Sequence, residues 1–132
     1  MQILVTGATG ILGSSVIETL LHGIPANQIT VLTRKEEERA AFEIQGFQAC
    51  LGDYDNVSTL ENAMKNVDTV LLVSAGDQGD RMQQHKNVID SAKKMDVKCI
   101  AYTSRSLRDR TSLENQLMLE HFKTCSACVF IF

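Results

Sequence analysis

The stretch ILVTGATGILGSS, Ile3–Ser15, decides how the chain is read. An apolar run, Ile3–Thr6, hands over to three glycines spaced three apart, Gly7, Gly10 and Gly13, and a helical pattern begins among them at Ile11. A chain that passes from strand to helix within so few residues needs a tight turn, and Gly7 stands where that turn falls. Gly10 leaves no Cβ in the path of a phosphate approaching the loop, and Gly13 allows the helix to lie close to the sheet. The first N–H groups of the helix have no partner within it, so they face a bound anion. Glycines at this spacing are weak evidence alone. Between the first strand of a βαβ unit and its helix they mark a dinucleotide-binding turn.

Working outward, further apolar runs fall at Ile29–Thr33, Phe47–Leu51, Thr69–Ser74, Cys99–Thr103 and Cys128–Phe132. Helical patterns separate them: Ile11–Leu21, Lys35–Gln45, Val57–Met64, Arg81–Met95 and Ser112–Lys123. Val57, Leu60, Met64 and Val67 keep one face apolar, as do Met82, Ile89, Ala92 and Met95. The second, fourth and fifth runs are continuous in Val, Ile and Leu, as strands covered on both faces are. Turn residues sit between elements in HGIPAN, His22–Asn27, and GDYDN, Gly52–Asn56, where Asn56 or Asp55 is available to cap the next helix. Strands alternating with helices through right-handed crossovers predict an α/β fold, a doubly wound parallel sheet of about six strands in the Rossmann-type order 3-2-1-4-5-6. Ligands then belong at the carboxyl ends of strands 1 and 4. No internal repeat or linker interrupts the pattern, and a single dinucleotide-binding domain over residues 1–132 is expected.

The 132 residues, 44% hydrophobic and 22% charged, suit one globular domain that buries roughly two-thirds of its unfolded surface. A formal net charge of −3 argues against a nucleic-acid backbone or an anionic membrane as the main partner. No apolar run approaches the length of about 18 residues that spans a bilayer, and Met1 leads straight into a strand. A cytoplasmic location is the expectation. Four cysteines make no disulfide framework in a chain of this size. Cys125 and Cys128 have the spacing of a redox or metal pair, but they lie between a helix end and a buried strand with no second pair. His22, His85 and His121 are scattered and lack metal-ligand spacing, so they read as ordinary helix residues and no metal site is expected. Ser74 and Ser104 have no nucleophile-elbow context.

Cofactor preference is written at the end of strand 2. A protein preferring NAD places an acid there for the ribose 2′-hydroxyl, whereas this chain has Thr33 and Arg34 in VLTRKEEER. A guanidinium pairs with a 2′-phosphate, so NADP is favoured over NAD. The plainer alternative is that Arg34 and Lys35 only begin a solvated helix. Glu36, Glu37 and Glu38 suit a helix N-terminus and weaken a nearby phosphate site.

Taken together, TGATGILG at Thr6–Gly13, Arg34, GDYDN, LLVSAG at Leu71–Gly76, RMQQHKNVIDSAKKMDVKCIAYTS at Arg81–Ser104 and LEHFKT at Leu119–Thr124 resemble the NmrA-like family of atypical short-chain dehydrogenases. The likeness runs from Met1 to Phe132 and is strongest to its NADPH-dependent quinone oxidoreductases. It implies a Rossmann N-terminal part and a smaller C-terminal part whose cleft takes the quinone. It also implies cofactor contacts: Gly7, Ala8, Thr9, Gly10, Ile11 and Leu12 around the pyrophosphate, Arg34 at the 2′-phosphate, and Asp53 and Tyr54 flanking the adenine. Ser74, Ala75 and Gly76 line the ribose and nicotinamide side, with Tyr102–Ser104 near the nicotinamide floor. Asp53 serves equally well as the start of a turn, and Tyr102 as core.

Two departures temper the resemblance. The Tyr-x-x-x-Lys pair of the wider dehydrogenase superfamily is missing, since Ser106 follows Tyr102 and Ser58 follows Tyr54 at the fourth position. No catalytic residue is therefore assigned, although a quinone accepts hydride and takes protons from water. The second departure is length: residues 1–132 are expected to hold the Rossmann part without the C-terminal substrate part that the resemblance implies. Three functions follow: the cofactor half of an NADPH-dependent oxidoreductase acting on a quinone or related carbonyl acceptor, a non-catalytic NADP sensor with a protein partner, or an inactive fragment. Self-association through the apolar strand 6 region is expected as well.

Overall fold

The computed structural model describes residues 1–73 and 79–103 together with the backbone of a last strand, Cys128–Ile131. In chain order the elements are β1 (Ile3–Val5), α1 (Ile11–Leu20), a 3₁₀ turn at Ala26–Gln28, β2 (Ile29–Thr33), α2 (Glu36–Ile44), β3 (Gln48–Leu51), α3 (Val57–Ala63), β4 (Thr69–Leu72), α4 (Arg81–Lys94), β5 (Cys99–Tyr102) and β6 (Cys128–Ile131). The strands form one parallel sheet in the order β3-β2-β1-β4-β5-β6. Ile3 of β1 stands opposite both Ile29 of β2 and Thr69 of β4, so the strand order reverses at β1. This is the doubly wound Rossmann order expected from the sequence.

Alternation along the strands divides the core between the two faces of the sheet. Leu4, Leu32, Val70, Leu72 and Ile100 pack with Leu60 and Ala63 of α3 and with Val88, Ile89 and Ala92 of α4. On the other face Ile3, Val5, Ile29 and Val31 pack with Ile17 of α1, Phe42 of α2 and Phe47. Phe42 and Phe47 meet edge to face with ring centroids 5.7 Å apart. Each fully buried aliphatic side chain contributes about 1.5–3 kcal/mol, so the helices on both faces are held chiefly by this burial.

The helix ends follow local chemistry. After α2, Gly46 takes φ +91° and lets the Phe47 N–H reach back to the Phe42 carbonyl at 3.1 Å, closing the last turn. Asp96 does the same after α4 at φ +57°, with the Val97 N–H 2.9 Å from the Ala92 carbonyl.

Several boundaries differ from the sequence expectation. β1 stops at Val5 and β4 at Leu72, because Gly7 turns the chain out of the sheet at φ +62°. Lys35 is extended and precedes α2 rather than opening it. Asn56 stands at the start of α3 but its side chain caps nothing, since its Oδ1 accepts from Ser58 Oγ at 2.8 Å instead. Of the three runs that read as covered on both faces, β2 is buried throughout, whereas in β4 and β5 buried residues alternate with partly exposed ones. The helix expected at Ser112–Lys123 lies outside the described residues, as do His121 and Cys125.

Candidate functional site at the carboxyl edge of the sheet

The loop between β1 and α1 is shaped by its glycines in three different ways. Gly7 is left-handed, and a Cβ on it would sit 3.1 Å from Val73 Cβ. Gly10 donates its N–H to the Gly7 carbonyl at 3.0 Å, and its own carbonyl accepts the Ser14 N–H as α1 begins. A Cβ on Gly10 would meet only the Gly7 oxygen, at 3.3 Å, and otherwise open space. Gly13 is the tightest: a Cβ there would fall 2.1 Å from the Gly7 oxygen and 2.9 Å from Ala8 Cα. The sequence reading placed this close approach against the sheet, whereas the helix lies against the backbone of its own entry loop.

No side chain caps α1, and no acid occupies its first turn. Its leading N–H groups and the positive end of its dipole therefore lack a side-chain partner. Ile11 is 92% exposed beside them, and Leu12 is also exposed. Ala8 is buried, while Thr9 is exposed. This arrangement has the shape and polarity of an anion cradle.

At the end of β2, Arg34 is exposed and forms no ion pair among the described residues. Its neighbours are tied down. Thr33 Oγ1 donates to Glu38 Oε2 at 2.6 Å and accepts the Lys35 N–H at 3.2 Å. Lys35 Nζ also lies 3.7 Å from Glu38. Arg39 pairs with Glu36 and Glu43, three residues before and four after it on α2. The Arg39 hydrogen bond holds the Glu36 carboxyl below its ordinary range. Two of the three acids that follow Arg34 are thus occupied by other groups.

The GDYDN loop after β3 forms the next wall. Gly52 packs closely on the Leu32 side chain, whose Cδ1 would have to shift to admit a Cβ. Asp53 Oδ1 accepts the Asp55 N–H at 2.9 Å, the turn-forming role open to it in the sequence. Tyr54 points its hydroxyl under the glycine loop, 2.6 Å from Thr6 Oγ1 and 2.9 Å from the Val73 carbonyl. Burial pushes the Tyr54 phenol up to about 12, opposed by the Thr6 hydrogen bond and by the charge of Arg34. Tyr102 is buried in the core, with its hydroxyl 3.2 Å from Nδ1 of the fully buried His85. Ser74, Ala75, Gly76 and Ser104 lie outside the described residues.

The doubly wound order, the uncapped α1 behind its glycine loop and the exposed Arg34 agree with the model of the NmrA-like family, which matches residues 1–126. The chain belongs to the NmrA-like family. Among NmrA-like and related proteins it is similar to quinone oxidoreductase 2 of Escherichia coli (strain K12), at 41% identity over 123 residues, which are 93% of this chain and 42% of that protein. The solved structure of the Escherichia coli NADPH-dependent quinone oxidoreductase in complex with NADPH superposes with a TM-score of 0.80 at 39% identity, covering 93% of this chain and 44% of that one. Triphenylmethane reductase of Citrobacter sp., solved with NADP(H), gives a TM-score of 0.89 at 30% identity over 99% of this chain and 48% of its own. The chain spans less than half the length of these relatives.

Sequence reasoning missed part of this NmrA-like site. In the sequence Thr6 reads as the end of a strand and the first residue of TGATGILG, with no role of its own, yet it is fully buried and bonded to three neighbours. A polar residue between an apolar run and a glycine was its signal. From the sequence His85 reads as an ordinary helix residue, although its spacing from Val88, Ile89 and Ala92 puts it on the buried face of α4. Gln84 and Asn87 of α4 bind the GDYDN loop, through Asp55 at 2.9 Å and the Tyr54 carbonyl at 2.8 Å. Among the described residues no group of His, Cys, Asp and Glu could hold a metal, and no helix is long and apolar enough to cross a membrane.

Proposed function

We propose that this chain is the NADP(H)-binding part of an NmrA-like oxidoreductase that reduces a quinone or a related carbonyl acceptor. The observation that carries the reading is Arg34, exposed at the carboxyl end of β2 while Glu36 and Glu38 are engaged by Arg39, Thr33 and Lys35. The fit to a dinucleotide is good on chemistry. Gly7–Leu12 offer a loop and an uncapped helix start to the pyrophosphate, and Arg34 offers a guanidinium to the 2′-phosphate. Asp53 and Tyr54 border the adenine side, and Ser74, Ala75 and Gly76, outside the described residues, are the candidates for the ribose and nicotinamide side. When bound, NADPH supplies a hydride from its nicotinamide.

The described residues bind and orient; they do not move the proton. Tyr54 keeps its proton to about pH 12 and directs its hydroxyl at Val73 and Thr6. A quinone needs no protein acid, because the reduced oxygen takes its protons from water. The absence of Tyr-x-x-x-Lys fits this acceptor better than an alcohol. A cytoplasmic setting belongs to the same reading. So does pairing of two copies at β6, one edge of the sheet, which light scattering measures.

Titration with NADPH and NADH, followed by cofactor fluorescence, tests the reading. NADPH binds more tightly, and Arg34→Ala weakens it by about 10- to 100-fold, the worth of a charged hydrogen-bonded pair, while leaving NADH unchanged. Equal affinities untouched by Arg34→Ala refute the assignment.

A further inference from the structure

We propose that Tyr54 is a positioning residue for the phosphate loop, its hydroxyl joining the ends of β1 and β4 so that Gly7 can leave the sheet there. The inference rests on the dinucleotide reading and assigns Tyr54 a task distinct from contact with the adenine.

The argument begins with a hydrogen-bonding deficit. Where the strand order reverses, β1 turns away into the glycine loop and stops supplying backbone partners to β4. Thr6 is the last residue in line, and its N–H still reaches the Leu71 carbonyl at 3.1 Å. Beyond it, Val73 has an N–H and a carbonyl with no strand opposite. The Thr6 hydroxyl accepts the Val73 N–H at 2.9 Å and lies 3.0 Å from the Leu71 carbonyl. The Tyr54 hydroxyl takes the Val73 carbonyl at 2.9 Å and lies 2.6 Å from Thr6 Oγ1. Two side-chain hydroxyls thus replace the missing rung of the ladder.

The separation they set has little slack. Gly7 passes so close to Val73 that even a Cβ would be 3.1 Å from it, so movement of Val73 relative to Thr6 moves Gly7. Gly7 in turn carries the Gly10 N–H on its carbonyl and lies against Gly13. Displacement therefore passes to the start of α1. Tyr54 is itself braced: Asn87 donates to its carbonyl at 2.8 Å, Gln84 holds Asp55 at 2.9 Å, and Thr59 Oγ1 accepts the Asp53 N–H at 3.1 Å. A hydroxyl carried on a loop held by both α3 and α4 is a fixed strut.

The test uses Tyr54→Phe, which keeps the ring and removes the oxygen. Without cofactor, amide exchange at Gly10 and Val73 accelerates by about tenfold, the worth of one hydrogen bond, while Ile100 in β5 exchanges as in the wild type. With cofactor, affinity for NADPH and NADH falls by the same factor, about tenfold, since the pyrophosphate is common to both. Arg34→Ala, by contrast, affects NADPH alone. Thr6→Ser keeps the oxygen and retains wild-type affinity, whereas Thr6→Val repeats the loss. This rescue separates positioning from mere support of the fold, and it remains readable if Tyr54→Phe does not fold. A wild-type chain that binds with Tyr54→Phe binding equally well overturns the positioning role alone. A wild-type chain that binds neither cofactor overturns the dinucleotide reading and the role together.

Discussion

Replacing Gly13 by alanine separates the fold of the loop from its chemistry. The added Cβ would fall 2.1 Å from the Gly7 oxygen, 2.7 Å from the Gly7 carbonyl carbon and 2.9 Å from Ala8 Cα. All three are backbone atoms, so no side chain can swing aside. Restoring ordinary contact with the oxygen needs a relative movement of about 1.3 Å between α1 and its entry loop. Overpacking of this kind costs about 1–3 kcal/mol. In a domain of this size that lowers the melting temperature by about 4–12 °C. Gly10→Ala is the matched control, since its Cβ meets only the Gly7 oxygen at 3.3 Å and its φ of −77° is open to any residue. Its stability stays within about 1 kcal/mol of wild type, as expected for a change at an uncapped helix start. Thermal melts without cofactor, followed by NADPH titration at a temperature where both variants are folded, read the two effects. Gly13→Ala melts low, while Gly10→Ala melts normally and fails to bind because its methyl stands at the pyrophosphate approach. Gly13→Ala melting with the wild type, or Gly10→Ala melting as low as Gly13→Ala, refutes the reasoning.

Thr33→Val removes the hydroxyl that holds Glu38 and the Lys35 N–H beside Arg34; paired titrations show NADPH affinity falling by about three- to tenfold with NADH unchanged, the effect of one lost hydrogen bond near a charge. Asp68 accepts from the Gln2 N–H at 2.9 Å and from Lys98 Nζ at 3.1 Å, which hold its carboxyl below the ordinary range. A depressed folded value contributes stability above the unfolded pKa that is lost as pH falls through the folded one, so Asp68→Asn is the less stable chain at neutral pH and converges with the wild type in acid, which flattens the acid limb of its denaturation profile.

What the sequence makes legible depends on how local its cause is. β2 is read residue for residue at Ile29–Thr33, because turn residues precede it and its interior is apolar throughout. The strand order also follows, from alternation and crossover handedness. The ends of β1 and β4 do not, since the residues that leave the ladder, Thr6 and Val73, keep strand-like composition and are pulled out by the turn at Gly7. Asn56 illustrates another limit: its composition suits a cap, but the Ser58 hydroxyl competes for its oxygen. The contacts of Gln84 with Asp55 join residues 29 apart in sequence, and the contacts of Tyr54 with Thr6 join residues 48 apart. No short-range pattern encodes those pairs.

The acids after Arg34 show how structure resolves an ambiguity that composition leaves open. Glu36, Glu37 and Glu38 favour the N-terminal turn of α2 and, as bare charges, oppose a phosphate nearby. Their partners alter that balance. Arg39 satisfies Glu36 within one helical turn and raises its own proton affinity in doing so, while Glu38 is held by the Thr33 hydroxyl and faces Lys35. Exposed charges are screened beyond about 8–10 Å, so only groups in near contact govern a bound phosphate. Arg34 has no ion-pair partner among the described residues and acts on Tyr54 across the site. The helix therefore keeps the acids its N-terminus favours, and the guanidinium at the strand end remains available to a 2′-phosphate.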